Sequence, residues 1–263
     1  LIVNARSGGD RPSAEDVRAA AVARGLQVHL FQPGEDPYEL ATRAEADALG
    51  VAGGDGSLAP VAKAALERGL PFVCVPFGTR NHFARDLGLD RDDPIAALDA
   101  YEGGRERMID IARVNERPFL NNVSLGMYAR LVHQRERHRR RRRALARVRA
   151  LAIAARHYRS TRGVTVDGEP MRARVILISN NAYALDLLSL GERARLDEGC
   201  LYLYAVRGIM RSRWTERRGR HFRVNATAGF LSAAVDGEPE RLATPLEFRI
   251  EPRALRVLVP PGV

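Results

Sequence analysis

Val51-Ala-Gly-Gly-Asp-Gly-Ser57 is the stretch that decides the fold. A short apolar reach precedes it. Ala- and Leu-rich sequence with helical spacing follows at once, from Leu58 to Leu66. The stretch is therefore a loop between a strand and a helix. Glycines let backbone N–H groups approach a ligand closely, and a helix N-terminus favours negative charge. Asp55 is unusual in a phosphate loop, because a carboxylate repels phosphate unless a cation lies between them. That points to a metal–nucleotide site. The competing, plainer explanation is a tight turn in which Asp55 or Ser57 caps the helix.

Outward from this loop the chain alternates. Leu1-Ile-Val3 reads as a strand and Asn4-Ala-Arg-Ser-Gly-Gly9 as a glycine-containing loop. A helix is expected from about Ser13 to Arg24, ended by Gly25 as a C′ glycine. Leu26 to Phe31 reads as a strand, Tyr38 to Leu49 as a helix, and Pro71-Phe-Val-Cys-Val75 as another strand. This rhythm predicts a doubly wound α/β domain with a parallel sheet, whose ligands collect at the carboxyl ends of the strands. A second such loop follows the last strand: Pro76-Phe-Gly-Thr-Arg-Asn-His-Phe-Ala-Arg85. Gly78 and Thr79 are placed to contact a phosphate or its metal. Asn81 either orients a substrate hydroxyl or ties the two loops together.

Beyond Gly103-Gly104 the pattern becomes strand-like. Short β-rich runs are expected at Met108–Val114, Arg117–Val123, Gly163–Val166, Ala173–Ser179, Cys200–Val206, His221–Ala228, Phe230–Val235 and Leu246–Ile250. They predict an antiparallel β-sandwich over 105–263, after an α/β nucleotide domain over 1–104, with the last residues packing back on the first domain. A helical insert is expected from Gly126 to about Tyr158. Val-Asp-Gly-Glu-Pro occurs twice, at 166–170 and 235–239. Both copies read as hairpin turns, and either could supply a general base.

The formal charge is +10, and Lys63 is the sole lysine, so the positive charge is nearly all arginine. Such a balance suits an anionic partner. Arg135 to Arg149 is the most charged stretch, with five consecutive arginines at 139–143. It reads as a solvated helix end or as a dock for anionic lipid headgroups. No aromatic-rich basic surface, zinc spacing or helix-turn-helix accompanies it, so nucleic acid is not expected as a partner. Cys74 and Cys200 each lie in an apolar run and read as buried thiols in a reducing compartment. No run approaches the length of a membrane span, and no signal peptide is visible. The chain opens without a methionine and already in a strand, so residues upstream are expected.

Gly53-Gly-Asp-Gly-Ser57 with Pro76-Phe-Gly-Thr-Arg-Asn-His-Phe-Ala-Arg85 resembles the catalytic domain of the diacylglycerol kinase and sphingosine kinase superfamily. Asn4-Ala-Arg-Ser-Gly8 is similar to its N-terminal loop, Arg195-Leu-Asp-Glu-Gly-Cys200 to a loop of its second domain, and Val235-Asp-Gly-Glu238 to its C-terminal turn. The resemblance implies ATP-dependent phosphorylation of a lipid hydroxyl with Mg²⁺, by a cytoplasmic protein peripheral to the membrane. It assigns nucleotide binding to Asn4, Ser7, Gly8, Gly53, Gly54, Asp55, Gly56, Ser57, Gly78, Thr79 and Asn81. It implies a metal site at Arg195, Glu198 and Cys200, partly through backbone carbonyls. Glu238 matches the proton acceptor, with Asp55 as a rival. A homodimer is left open. The sequence departs from the family pattern at Leu58-Ala-Pro60, His82 and Glu198, which marks a divergent member. The alternatives are a non-catalytic nucleotide-binding module and a kinase for a soluble acceptor.

Overall fold

The computed structural model describes residues 1–8, 12–79, 81–126, 163–173, 175–184, 192–207 and 214–263. The expected helical insert and its arginine run lie almost wholly outside these residues. In chain order the elements are β1 (Ile2–Val3), α1 (Ala14–Ala23), β2 (His29–Leu30), α2 (Pro37–Arg43), β3 (Leu49–Gly53), α3 (Asp55–Arg68), β4 (Phe72–Pro76) and α4 (His82–Asp86). A 3-10 helix at Ala96–Tyr101 precedes β5 (Arg105–Val114), β6 (Arg117–Phe119) and β7 (Asn122–Gly126). Then come β8 (Val164–Val166), β9 (Glu169–Pro170), β10 (Val175–Asn180), β11 (Leu201–Val206) and β12 (Trp214–Gly219). The last are β13 (His221–Ala226), β14 (Phe230–Val235), β15 (Glu238–Ala243) and β16 (Leu246–Val259).

Two compact units form. The first comprises Leu1–Ile111, Tyr183–Gly199 and Glu251–Val263; the second, Ala112–Ala182 and Cys200–Ile250. Two segments that follow residue 104 in the chain thus cluster with the first unit.

In the first unit β2, β1, β3 and β4 lie side by side and parallel, and the end of β16 joins β4 in parallel register, Val257 opposite Phe72. Every residue of β3 and β4 is buried. Continuous apolar runs of this kind belong to parallel strands covered on both faces. α1 opens with a capping box between Ser13 and Asp16, as its sequence signals. α3 closes at Gly69 in the left-handed region. The helix expected over 38–49 is shorter. It stops at Arg43, where the Arg68 guanidinium donates to the carbonyls of Ala41 and Ala44, and Leu49 already pairs with Phe72. Tertiary pairing overrides the helix propensity of an alanine-rich tail.

Tyr101 presses its hydroxyl against Gly50, where an added Cβ would lie 1.9 Å from it. That hydroxyl is buried and finds no hydrogen-bond partner among the described residues. Burial pushes its pKa up. An unpaired buried hydroxyl costs about 1–3 kcal/mol. Tyr101→Phe is therefore expected to raise stability by about 1 kcal/mol, read from the urea midpoint at unchanged slope.

The second unit is all antiparallel. One sheet runs β12-β11-β10-β7-β14-β15, and the other sets the first half of β16 beside β13, β8 and β9. Its core takes Val123, Ile176, Ile178 and Leu203 from the first sheet and Val166, Phe222, Val224 and Phe248 from the second. Alternation along β13, exposed then buried, shows how one face enters this sandwich. The strand expected over 117–123 is in fact two, β6 and β7. The Asp236 carboxylate interrupts it by accepting the N–H groups of Leu120, Asn121 and Asn122 at 2.8, 2.7 and 3.1 Å. Two strands, β12 and β15, escape the hydrophobic pattern because they are edges with charged residues, which blunts pairing with other chains. Among the described residues no helix is long and apolar enough to cross a membrane. Cys74 is buried and Cys200 half-buried, and both are free thiols.

Candidate active site

The first unit gathers most of the predicted nucleotide-binding residues at the carboxyl ends of β1, β3 and β4. Three loops meet there because three adjacent parallel strands end together. Asn4, just past β1, donates through Nδ2 to Ser57 Oγ at 2.9 Å and accepts the Arg6 N–H on Oδ1 at 3.0 Å. The first loop is thereby tied to the glycine turn. The Ser7 N–H closes the first loop onto the Asn4 carbonyl. Gly8, at φ +87°, sits over the Phe77 ring, which an added Cβ would meet at 2.5 Å.

The glycine turn after β3 is tighter than its sequence suggests. α3 begins at Asp55, with Gly54 as its N-cap and no side chain capping it. Gly56 and Ser57 thus belong to the first helical turn. The N-terminus of this helix is left with orphan N–H groups and a positive end, beside three glycines. Gly54 and Gly78 touch across β3 and β4: a Cβ on Gly78 would lie 2.4 Å from Gly54 Cα. Backbone meets backbone, and Gly78 has no room for a side chain.

Asp55 does cap a helix, though not its own. Its carboxylate accepts the N–H groups of His82 and Phe83 at 3.3 and 3.2 Å, the first two residues of α4. Asn81, at φ 48°, precedes α4 without capping it; its Nδ2 donates to the Gly78 carbonyl at 3.0 Å, and Oδ1 is buried without a partner among the described residues. Thr79 is exposed. Cys74 lies near enough to Asp55 that, after burial, this charge is a second cause raising its thiol pKa.

Arg195 and Glu198 lie in the 192–199 segment of the first unit, and Cys200, just before β11, lies in the second. The Arg195 side chain pairs with Asp197 at 3.0 Å, and the Cys200 carbonyl accepts the Asn181 N–H at 3.1 Å. That pairing holds the Asp197 carboxyl below its usual range, chiefly through the hydrogen bond from Arg195. Among the described residues no three His, Cys, Asp or Glu side chains converge as a metal cage. Glu238 starts β15 in the second unit and is exposed. It follows a turn with Asp236 at φ 48° and Gly237 at φ 88°, the two left-handed residues that a type I′ hairpin needs.

Several residues of consequence escaped the sequence patterns. Asp110 is fully buried in β5, where it accepts the N–H groups of Gly199 at 2.6 Å and Arg253 at 2.8 Å. It shapes the 195–199 segment from behind. A lone carboxylate inside Met108-Ile-Asp-Ile-Ala112 was the available signal, since a buried charge demands partners. Asp86 and Arg193 form a buried ion pair.

The diacylglycerol kinase catalytic domain family matches residues 1–114. A diacylglycerol kinase of Bacillus subtilis (strain 168) is 37% identical over 91 residues, 34% of this chain and 30% of that protein. A probable lipid kinase YegS-like of Klebsiella pneumoniae (strain 342) is 32% identical over 133 residues, 48% of this chain and 44% of that one. The matched stretches thus span less than half the length of these curated relatives. The crystal structure of a diacylglycerol kinase from Bacillus anthracis str. Sterne superposes with a TM-score of 0.70 at 15% identity, covering 100% of this chain and 97% of that one. The fold is shared with that structure, and residues 1–114 are similar to the diacylglycerol kinase catalytic domain family.

Proposed function

We propose that the protein is a lipid kinase that transfers the terminal phosphoryl group of ATP, with Mg²⁺, to a lipid hydroxyl of diacylglycerol type. The observation that carries this is the α3 N-terminus, uncapped by any side chain and flanked by the Gly54–Gly78 contact. Such an end presents N–H groups and a positive dipole to phosphate, and the missing side chains let the backbone come close. The donor set fits a nucleotide phosphate chain. A cation carried with the nucleotide needs oxygen ligands instead, and Mg²⁺ keeps most of its water and takes only one or two from the protein beside phosphate oxygens. Arg195, Glu198 and Cys200, partly through backbone carbonyls, are the proposed ligands. Bound together, nucleotide and metal supply the phosphoryl group and neutralise its charge.

The chain's own residues then do three things. The glycine turn and Gly78-Thr79 orient the phosphate chain. Asp55 holds α4 and so fixes Asn81 beside that turn. Glu238 accepts the proton of the lipid hydroxyl as the new P–O bond forms. In phosphoryl transfer such positioning and charge balance do most of the work. The +10 charge favours an anionic surface, and Arg135–Arg149 is the proposed dock on the cytoplasmic leaflet.

Labelled ATP and total lipid extract test this. Wild-type protein is expected to label a lipid in a Mg²⁺-dependent manner. Glu238→Gln should lower the rate by about a hundredfold or more, with stability within about 0.5 kcal/mol of wild type. Asp55→Asn should lose about 1 kcal/mol of stability with its cap, and activity with it. Nucleotide binding without labelling of any lipid would leave the non-catalytic module standing. Labelling of a soluble acceptor as well as any lipid would move the substrate class instead.

A further inference from the structure

The first unit holds a buried charge cluster for which the chemistry above has no use. Asp86 ends α4 with its side chain 2% exposed, and the Arg193 side chain is 0% exposed. Arg193 Nε donates to one Asp86 oxygen at 2.7 Å, and the Arg193 backbone N–H reaches the other at 3.5 Å. Arg85 donates to that second oxygen from Nε at 3.1 Å and from an Nη at 2.8 Å. Its other Nη lies 3.5 Å from Glu192. The Tyr183 ring lies 5.9 Å from the Arg193 guanidinium carbon.

A buried ion pair gains little stability over apolar side chains of the same volume, because desolvation offsets the attraction. What it does supply is direction, and here both ends lead to loops of the proposed site. On one side, α4 is held at its first two N–H groups by Asp55, which belongs to the glycine turn. On the other, Arg193 opens the segment that ends at Gly199. Asp110 fixes that segment by donating its N–H to the Leu196 carbonyl at 2.7 Å and accepting the Gly199 N–H. The run Asp55, α4, Asp86, Arg193, Leu196–Gly199, Asp110 is continuous.

We propose that Asp86 and Arg193 are positioning residues that place the 195–199 segment according to the state of the glycine turn, so that nucleotide on the turn orders the segment. This rests on the nucleotide-binding role proposed above. Coupling of this kind is shown only by perturbing the link and reading the far end.

Hydrogen–deuterium exchange of the whole chain, with and without a non-hydrolysable ATP analogue and Mg²⁺, gives that reading. In wild type the analogue should slow exchange at 53–57 and also, by about tenfold or more, at 193–199. Asp86→Leu combined with Arg193→Leu keeps an apolar pair in place of the ionic one. This variant should keep protection at 53–57 and lose it at 193–199. Its kcat should fall by about tenfold while KM for ATP stays within about twofold. Arg193→Lys retains charge without the guanidinium geometry; it should lose protection at 193–199 as well, and carries the test should the paired variant not fold. Protection at 193–199 that survives in Arg193→Lys and in the paired variant overturns the link. So does wild-type protection confined to 53–57, which would leave the nucleotide role intact. No protection at 53–57 in wild type overturns the nucleotide role itself, and this proposal with it.

Discussion

Gly78→Ala should abolish tight nucleotide binding and lower the stability of the first unit by about 3 kcal/mol. The new Cβ would lie 2.4 Å from Gly54 Cα, 3.0 Å from Gly54 N and 2.8 Å from Asn81 Oδ1. Two of these atoms are backbone, carried by buried parallel strands that pair from Leu49–Phe72 to Gly53–Pro76. Neither strand can yield without breaking that ladder, so the turns must part. Parting them moves the α3 N-terminus from the Gly78-Thr79 loop, and both are proposed to hold one phosphate chain. At 1.4 kcal/mol per decade, a distortion of that size weakens binding about a hundredfold. Titration with a fluorescent ATP analogue reads the binding, and urea denaturation reads the stability. Gly54→Ala is the control: its Cβ would meet nothing nearer than Gly78 Cα at 3.5 Å, an ordinary contact. It should therefore fold nearly as well as wild type. Equal behaviour of the two variants would mean that the close approach of the turns is unimportant.

The second large effect is expected at Asp236. Asp236→Ala removes a carboxylate that accepts three backbone N–H groups, those of Leu120, Asn121 and Asn122. Leu120 and Asn121 are buried, so their donors would be left without water. Hydrogen bonds to a charged acceptor contribute about 1.5–3 kcal/mol each, less when they share one group. A loss of about 4 kcal/mol is therefore expected for the second unit. The duplicate stretch provides the comparison. Asp167 also sits in an Asp-Gly turn, with φ 51° and Gly168 at φ 83°, but among the described residues its exposed carboxylate accepts a single N–H, that of Arg223 at 2.8 Å. Asp167→Ala should cost about 1 kcal/mol. Thermal melts of both variants decide the matter, and similar losses would show that the three-fold grip of Asp236 adds nothing.

These two identical stretches show where sequence stops being informative. Val-Asp-Gly-Glu-Pro predicts a hairpin turn at 166–170 and at 235–239, and both are found, because Asp-Gly meets the left-handed demand of the turn locally. What each carboxylate does is not local. Glu169 pairs with Arg217, which is 48 residues away, and Asp236 grips a segment 114–116 residues upstream. No pattern within five residues encodes such partners.

The same division runs through the candidate site. Parallel strands, glycine turns and helix starts were legible because each follows from hydrophobic runs and backbone freedom within a few residues. The family resemblance was legible because its two loops keep their residue types at fixed spacing. Asp55 shows the limit. Its sequence allowed a phosphate-site carboxylate or a cap for its own helix, and it became a cap for α4, 27 and 28 residues on, because β3 and β4 lie side by side. Asp86 and Arg193 were invisible for the same reason, and of Asp110 only its place in an apolar run was legible. A buried charge is defined by what surrounds it, and only the packed chain supplies the surroundings.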